Sequence, residues 1–101
     1  QQTLTDGATI NWDVDQGGAA KVTLAGNRTM ASPTNLRAGA TYILEVIQDA
    51  TGSRTMAWNT IFKWPLGIIP TISTAANAKD LFSFYCPDGL VLYGNLLKGL
   101  A

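Results

Sequence analysis

The sequence is divided into short segments in which apolar and polar residues alternate, and glycine, proline, asparagine or aspartate separates most of them. A period of two is typical of a half-buried β-strand, whose successive side chains point to opposite faces of a sheet. The first segment places Ala8, Ile10, Trp12 and Val14 on one face and polar residues on the other. No segment shows a sustained helical period, so the pattern predicts an all-β fold.

The strongest strand candidate is the segment 41–48 (TYILEVIQ), which is rich in β-branched and aromatic residues and apolar on both faces. It is expected to lie centrally, or with its second face against another subunit. The segments 80–86 and 91–97, separated by Pro-Asp-Gly, predict a terminal hairpin. With about eight to nine short strands in total, we predict an antiparallel β-sandwich, jelly-roll-like, that forms one domain over residues 1–101.

Composition restricts the partners of this domain. Seven basic residues balance seven acidic ones, and they are scattered along the chain, which argues against nucleic acid as a partner. The apolar runs are too short for membrane insertion. Only 14% of the residues are charged, against about 25% in typical domains, which predicts a surface partly covered by a partner, most simply another copy of the chain.

The residues needed for common enzyme chemistry are missing. The sequence contains no histidine, so triads that use a histidine base are excluded. Asp13 and Asp15 would lie about 6.5–7 Å apart on one strand face, a spacing compatible with glycoside hydrolysis or calcium, but any strand with acids two residues apart satisfies this test. We therefore predict a solvated pair of carboxylates, no enzyme activity, no cofactor and no metal site.

Candidate ligand-binding residues are two tryptophans and one turn. Trp58 and Trp64 lie near predicted strand ends, where they would serve either in the core or a subunit interface, or as platforms for a sugar ring. Asp49 and Thr51 belong to a turn, and turns tolerate the sequence change that receptor contact requires. Trp12 continues an apolar strand face and is assigned to the core.

Candidate interface residues come from one strand and one loop. Ile43 and Ile47 form the second apolar face of the central strand. Leu66, Ile68 and Ile69 make a loop apolar where loops are normally polar, which predicts that a neighbouring subunit or a ligand covers it.

Two arginines and the single cysteine are predicted to be structural. Arg28 and Arg54 each follow a turn and precede threonine, and their guanidinium groups are expected to bind loop carbonyls or an acid such as Asp49 or Asp80. Cys86 shares a strand face with phenylalanines and is expected to be a small buried apolar residue.

An ordered series of short motifs resembles a module of bacteriophage tail fibres and related virion proteins. The motifs are residues 6–10 (DGATI), 22–29 (VTLAGNRT), 48–55 (QDATGSRT), 63–65 (KWP) and 80–84 (DLFSF). Each motif alone is a common turn or strand sequence. Their order along nearly the whole chain is hard to produce by chance and is therefore specific for this module. The apolar residues after the Trp-Pro pair depart from the glycine-rich, polar loop expected there, which leaves the role of this loop open.

The resemblance implies a virion protein that forms homotrimers and attaches to a bacterial host surface, with a surface glycan or outer-surface protein as the further partner. The chain begins with Gln1 rather than Met, which predicts a fragment of a longer fibre or virion protein, and the resemblance implies a position near its carboxyl end. The resemblance supplies no catalytic residue. Two alternatives remain open: a capsid decoration or fibre-cap protein with a purely structural role, and a carbohydrate-binding module of a secreted bacterial enzyme.

Overall fold

A computed structural model describes residues 1–100, which form nine strands and two 3₁₀ turns. The strands are β1 (Gln2–Thr3), β2 (Thr9–Ile10), β3 (Ala19–Leu24), β4 (Arg28–Met30), β5 (Thr41–Gln48), β6 (Met56–Trp58), β7 (Phe62–Lys63), β8 (Lys79–Tyr85) and β9 (Leu92–Leu100). The 3₁₀ turns are Val14–Gln16 and Pro65–Gly67. Neither has the length of a membrane-spanning helix. The prediction of an all-β fold is confirmed.

The strands form two sheets. The larger sheet has the order β1-β3-β5-β8-β9-β7, and the smaller has the order β2-β4-β6. The first six strands alternate between the two sheets, so the chain winds through both layers in successive coils. Within each sheet the neighbours among these six strands are parallel. Two antiparallel strands, β8 and β9, then extend the larger sheet from β5.

The predicted antiparallel pairing is wrong for most of the molecule, and the jelly-roll topology is not confirmed. Only β5–β8 and β8–β9 are antiparallel, whereas the smaller sheet is entirely parallel. Alternation reveals which face a residue occupies but carries no strand direction. The turn at Gly26 and Asn27 has a composition suited to a hairpin, yet it carries the chain from β3 in one sheet to β4 in the other. The predicted terminal hairpin is confirmed as β8–β9.

One hydrophobic core lies between the sheets. The larger sheet contributes the inward residues of β3, β5 and β8, among them Leu24, Leu44 and Phe82, and the smaller sheet contributes Ile10 and Met30. Burial follows strict alternation along β5 and β8. This pattern is the physical reason that these segments form strands.

The first predicted strand is shorter than the alternation suggested. Trp12 and Val14 are buried as expected, but Ala8 is exposed and the strand β2 ends at Ile10. The carboxylate of Asp13 accepts a hydrogen bond from the N–H of Asp15 at 3.0 Å and caps the 3₁₀ turn that follows. This local hydrogen bond competes with the extended conformation and ends it.

Two arginine–aspartate pairs stabilise turns between strands of the two sheets. Arg28 donates from Nε and Nη2 to the two oxygens of Asp6, each at 2.8 Å. Arg54 binds Asp49 in the same way at 3.4 and 3.0 Å. The hydrogen bond from each guanidinium lowers the pKa of its aspartate below the ordinary value. The expected structural role of both arginines is confirmed.

Two buried polar side chains fix the long loop before β8. Gln48 donates from Nε2 to the carbonyls of Arg54 and Ser73, both at 2.8 Å, and accepts from the N–H of Arg54 at 3.1 Å. Asp80 accepts from the N–H of Ser73 at 2.6 Å and from that of Gly99 at 2.8 Å. These bonds replace the solvation that both groups lose on burial.

An aromatic cluster joins the two sheets at a distance from Gln48 and Asp80. Trp58 reaches from β6 to Phe82 on β8, with ring centroids 4.7 Å apart, and also contacts Phe62 and Trp64 at 5.0 and 5.1 Å. The ring of Trp64 lies against Gly94, where a Cβ atom would come within 2.5 Å of it. Glycine at this position in β9 therefore makes room for the indole.

Candidate functional site

The outer face of the larger sheet carries apolar side chains that nothing in residues 1–100 covers fully. Alternation directs Tyr85, Tyr93 and Leu97 outward, opposite the buried residues of β8 and β9. These side chains are exposed, Leu97 at 61% of its surface. Ile43 and Ile47 lie on the same face of β5 and are half-buried. The predicted second apolar face of the central strand is therefore the outer face of the larger sheet.

Strand register decides how these side chains meet. Tyr85 is directly opposite Tyr93, and Leu81 is directly opposite Leu97. Directly opposed side chains on neighbouring strands interact across the sheet. The tyrosine pair and the leucine pair therefore form two apolar bands on the β8–β9 hairpin, separated by the polar pair of Ser83 and Asn95.

The loop after β7 presents a second group of apolar side chains. Leu66 is 95% exposed, and Ile68 and Ile69 are exposed as well. Leu66 and Gly67 both have positive φ, in a turn closed by a hydrogen bond from the N–H of Gly67 to the carbonyl of Trp64 at 2.9 Å. Positive φ is unfavourable for leucine, so the turn holds this side chain outward at a cost in backbone strain.

A shallow cavity joins the loop to the outer face of the sheet. Its lining consists of Lys63 from β7, Pro65 from the loop and Tyr93 from β9, with Trp64 and Gly94 beneath them. A separate apolar cleft, about 320 Å³ in volume, lies between Leu66 and Leu96 on the inward-facing side of β9. The exposed apolar residues of the loop and of the outer sheet face are grouped here as the apolar surface, although polar and charged side chains such as Glu45, Lys63 and Asn95 lie among them. Its members are Ile43, Ile47, Leu66, Ile68, Ile69, Tyr85, Tyr93 and Leu97.

Sequence reasoning identified five of these eight residues and missed the three on the hairpin. The signal for Tyr85, Tyr93 and Leu97 was present, because alternation in a hairpin that buries Phe82 and Phe84 must direct them to the opposite face. The assignment of the five anticipated residues to a subunit interface remains a prediction.

The four predicted ligand-binding residues lie in two separate places. Trp58 and Trp64 are buried, and neither indole N–H has an acceptor within residues 1–100. Trp64 nevertheless lines both clefts beside the loop, so sugar contact at this residue stays a prediction. Asp49 and Thr51 lie beyond the end of β5, whereas Trp64 is level with its beginning. At about 3.3 Å per residue, this separates the two places by roughly 20 Å along the strand.

The Asp49 turn is internally hydrogen-bonded. The Oδ1 atom of Asp49 accepts from the N–H groups of Thr51 and Gly52 at 3.1 and 3.0 Å, and its carboxylate is paired with Arg54. These bonds order the turn and occupy the carboxylate. Thr51 remains exposed. Ligand binding by these residues stays a prediction.

The two acids considered for catalysis or calcium take part in different contacts. Asp13 accepts from the side-chain amide of Asn35 at 2.8 Å, and Asp15 pairs with Arg37 at 2.8 Å. Within residues 1–100, no three acidic or cysteine side chains are grouped as a metal site would require.

Comparison with known proteins gives one match. The family model described as "Putative phage tail fibre C-terminal domain" matches residues 13–85. No curated protein and no solved structure matches the chain.

Proposed function

Because the chain belongs to the family of phage tail fibre C-terminal domains, we propose that it assembles with copies of itself through the apolar surface and contacts a bacterial host from the exposed end of the fibre. Family membership gives the chain a structural role in a phage virion. The assembly as a homotrimer, the host contact and the exposed location are the proposal.

The observation that carries the proposal is the set of exposed apolar side chains on the outer sheet face and the neighbouring loop. Isolated exposed apolar residues are ordinary, but apolar bands on a sheet face beside an exposed apolar loop are typical of an interface. Aromatic residues and a scarcity of charge mark the centres of such interfaces, and the bands on the hairpin contain two tyrosines and two leucines. Covering this surface in a neighbouring subunit would also shelter the strained, outward side chain of Leu66.

Light scattering tests the assembly. We expect the wild-type domain at high micromolar concentration to show three times the 10.7 kDa mass of one chain. Changing Tyr93 and Leu97 together to serine should shift the mass to that of the monomer, because the bands lose their apolar contacts. The matched control is Leu90→Ser, since Leu90 is also an exposed leucine but lies in the turn before β9, outside the apolar surface.

A stable wild-type monomer at that concentration contradicts the proposed assembly. Binding of the same variants to bacterial cells separates the two roles. Variants that remain trimeric but no longer bind cells would make the apolar surface the host contact, whereas loss of both trimer and binding identifies it as the interface on which attachment depends.

We also propose that the domain is not an enzyme. In support, the carboxylates of Asp6, Asp49 and Asp80 are occupied by hydrogen bonds that hold the backbone or arginines in place. Incubation with host polysaccharide is expected to release no reducing ends, and a chelator should leave the melting temperature unchanged. Turnover of glycan, or a large fall in melting temperature with chelator, would contradict this proposal.

A further inference from the structure

A polar cleft lies between the first strands of the two sheets, away from the apolar surface. Its volume is about 250 Å³. β1 and β2 are the edge strands of their sheets, so no further strand within residues 1–100 covers it. The lining residues are Gln2, Thr3, Leu4, Thr5, Asn11, Trp12, Asp13, Ser32 and Thr34.

The walls of the cleft offer hydrogen-bonding groups to a ligand. Thr3, Thr5, Asn11, Ser32 and Thr34 are all exposed, whereas Leu4 and Trp12 at the base are buried. Each hydroxyl both donates and accepts, as does a carboxamide. The backbone N–H and C=O of Asn11 also make no backbone hydrogen bond within residues 1–100, because this residue follows the edge strand β2.

Internal hydrogen bonds fix the two walls relative to each other. Gln2 donates from its side-chain amide to the carbonyls of Asp13 and Gly17, at 2.8 and 2.9 Å, and so ties β1 to the segment after β2. The indole of Trp12 donates to the same carbonyl of Gly17 at 3.1 Å. The cleft is therefore held in one shape before any ligand enters, which reduces the entropy cost of binding.

The lining determines the class of ligand. No lysine or arginine lines the cleft, and its one charged residue is Asp13, so a phosphate, sulfate or uronate would be repelled rather than paired. Pockets for drug-sized molecules are about 300–1,000 Å³, so this cleft suits something smaller. An extended peptide would gain few main-chain hydrogen bonds, because β1 and β2 are each two residues long.

We propose that this cleft binds the hydroxyl groups of one neutral sugar unit of a bacterial surface polysaccharide. That the sugar belongs to a bacterial surface polysaccharide rests on the host contact proposed above. The affinity for a free sugar is expected to be in the millimolar range, because Trp12 is buried and offers no ring face for stacking.

The test is a titration of the ¹⁵N-labelled wild-type domain with free neutral monosaccharides (glucose, galactose, mannose, rhamnose and N-acetylglucosamine), with glucuronate as the anionic comparison. At least one neutral sugar should shift the amide signals of residues 11–13, Ser32 and Thr34, whereas Pro33 has no N–H to observe. Asn11→Ala and Thr34→Val should each weaken its binding roughly fivefold to tenfold, the effect of one lost hydrogen bond. Thr60→Val is the matched control, since Thr60 is exposed in a turn outside the cleft.

Absence of a saturable shift with every neutral sugar overturns the proposal, as does tighter binding of glucuronate. Shifts that persist unchanged in both cleft variants also overturn it, because the sugar then binds elsewhere. The titration does not depend on the oligomeric state. A monomeric domain that binds sugar would refute the assembly alone, and a trimer that binds none would refute the cleft alone.

Discussion

Replacing Trp58 by alanine is expected to lower the free energy of unfolding by about 3–5 kcal/mol. Since domains of this size are stable by about 5–15 kcal/mol, this would remove a large share of the total. Trp58 comes from the smaller sheet and contacts Phe82 and Phe62 of the larger sheet. Its removal leaves a cavity at the point where the two layers meet. Urea denaturation followed by circular dichroism would measure the loss.

The matched variant is Trp58→Phe, which keeps an aromatic ring and removes an indole N–H that is buried without an acceptor. It should cost much less than alanine, about 1.5 kcal/mol or under, because relief of the unsatisfied N–H partly offsets the smaller ring. An alanine variant as stable as wild type would show that the aromatic cluster does not join the sheets as described.

The second large effect is expected at Asp80, where substitution by asparagine should lower the free energy of unfolding by about 2–4 kcal/mol. The two carboxylate oxygens of Asp80 each accept from a different backbone N–H, those of Ser73 and Gly99. Asparagine has one acceptor oxygen, so its NH₂ group would face one of these donors in a site that is only 1% exposed. The same denaturation measurement applies.

Asp88→Asn is the control for this substitution. Asp88 also accepts two backbone N–H groups, from Leu90 and Val91, but through a single oxygen and on the surface. Asparagine can retain both bonds there, so little change is expected. If both substitutions lowered the free energy of unfolding equally, the use of two separate carboxylate oxygens at Asp80 would be unimportant for stability.

Sequence alone predicted which faces are buried, and the reason is local. Trp12, Phe82 and Phe84 lie in alternating segments, and alternation requires no knowledge of distant partners. The close turn after Tyr85 likewise predicted the β8–β9 hairpin. Strand direction was not accessible, because β3 and β4 are linked by hairpin-like residues although they belong to different sheets.

The sites depended more on distant contacts and were harder to predict. Burial of Trp64 requires Gly94, thirty positions later, to lack a side chain. The polar cleft is assembled from three separate stretches around Thr3, Asn11 and Ser32, none of which is a motif by itself. The loop at Leu66 was found because an apolar loop is locally anomalous, whereas Tyr93 was overlooked because its neighbours alternate as in any strand.

The parallel winding bears on the order in which the chain can fold. Gln2 pairs with Ala20 and Thr29 with Ala57, separations of 18 and 28 residues, whereas Tyr85 and Tyr93 are only 8 apart. Long separations cost more loop entropy before any contact forms, and they slow folding. The β8–β9 hairpin is thus the least costly nucleus, and a ribosome synthesises it after all the coils. Once the hairpin has formed, the free edge of β8 is available for pairing with β5, and β3 and β1 can then pair in turn.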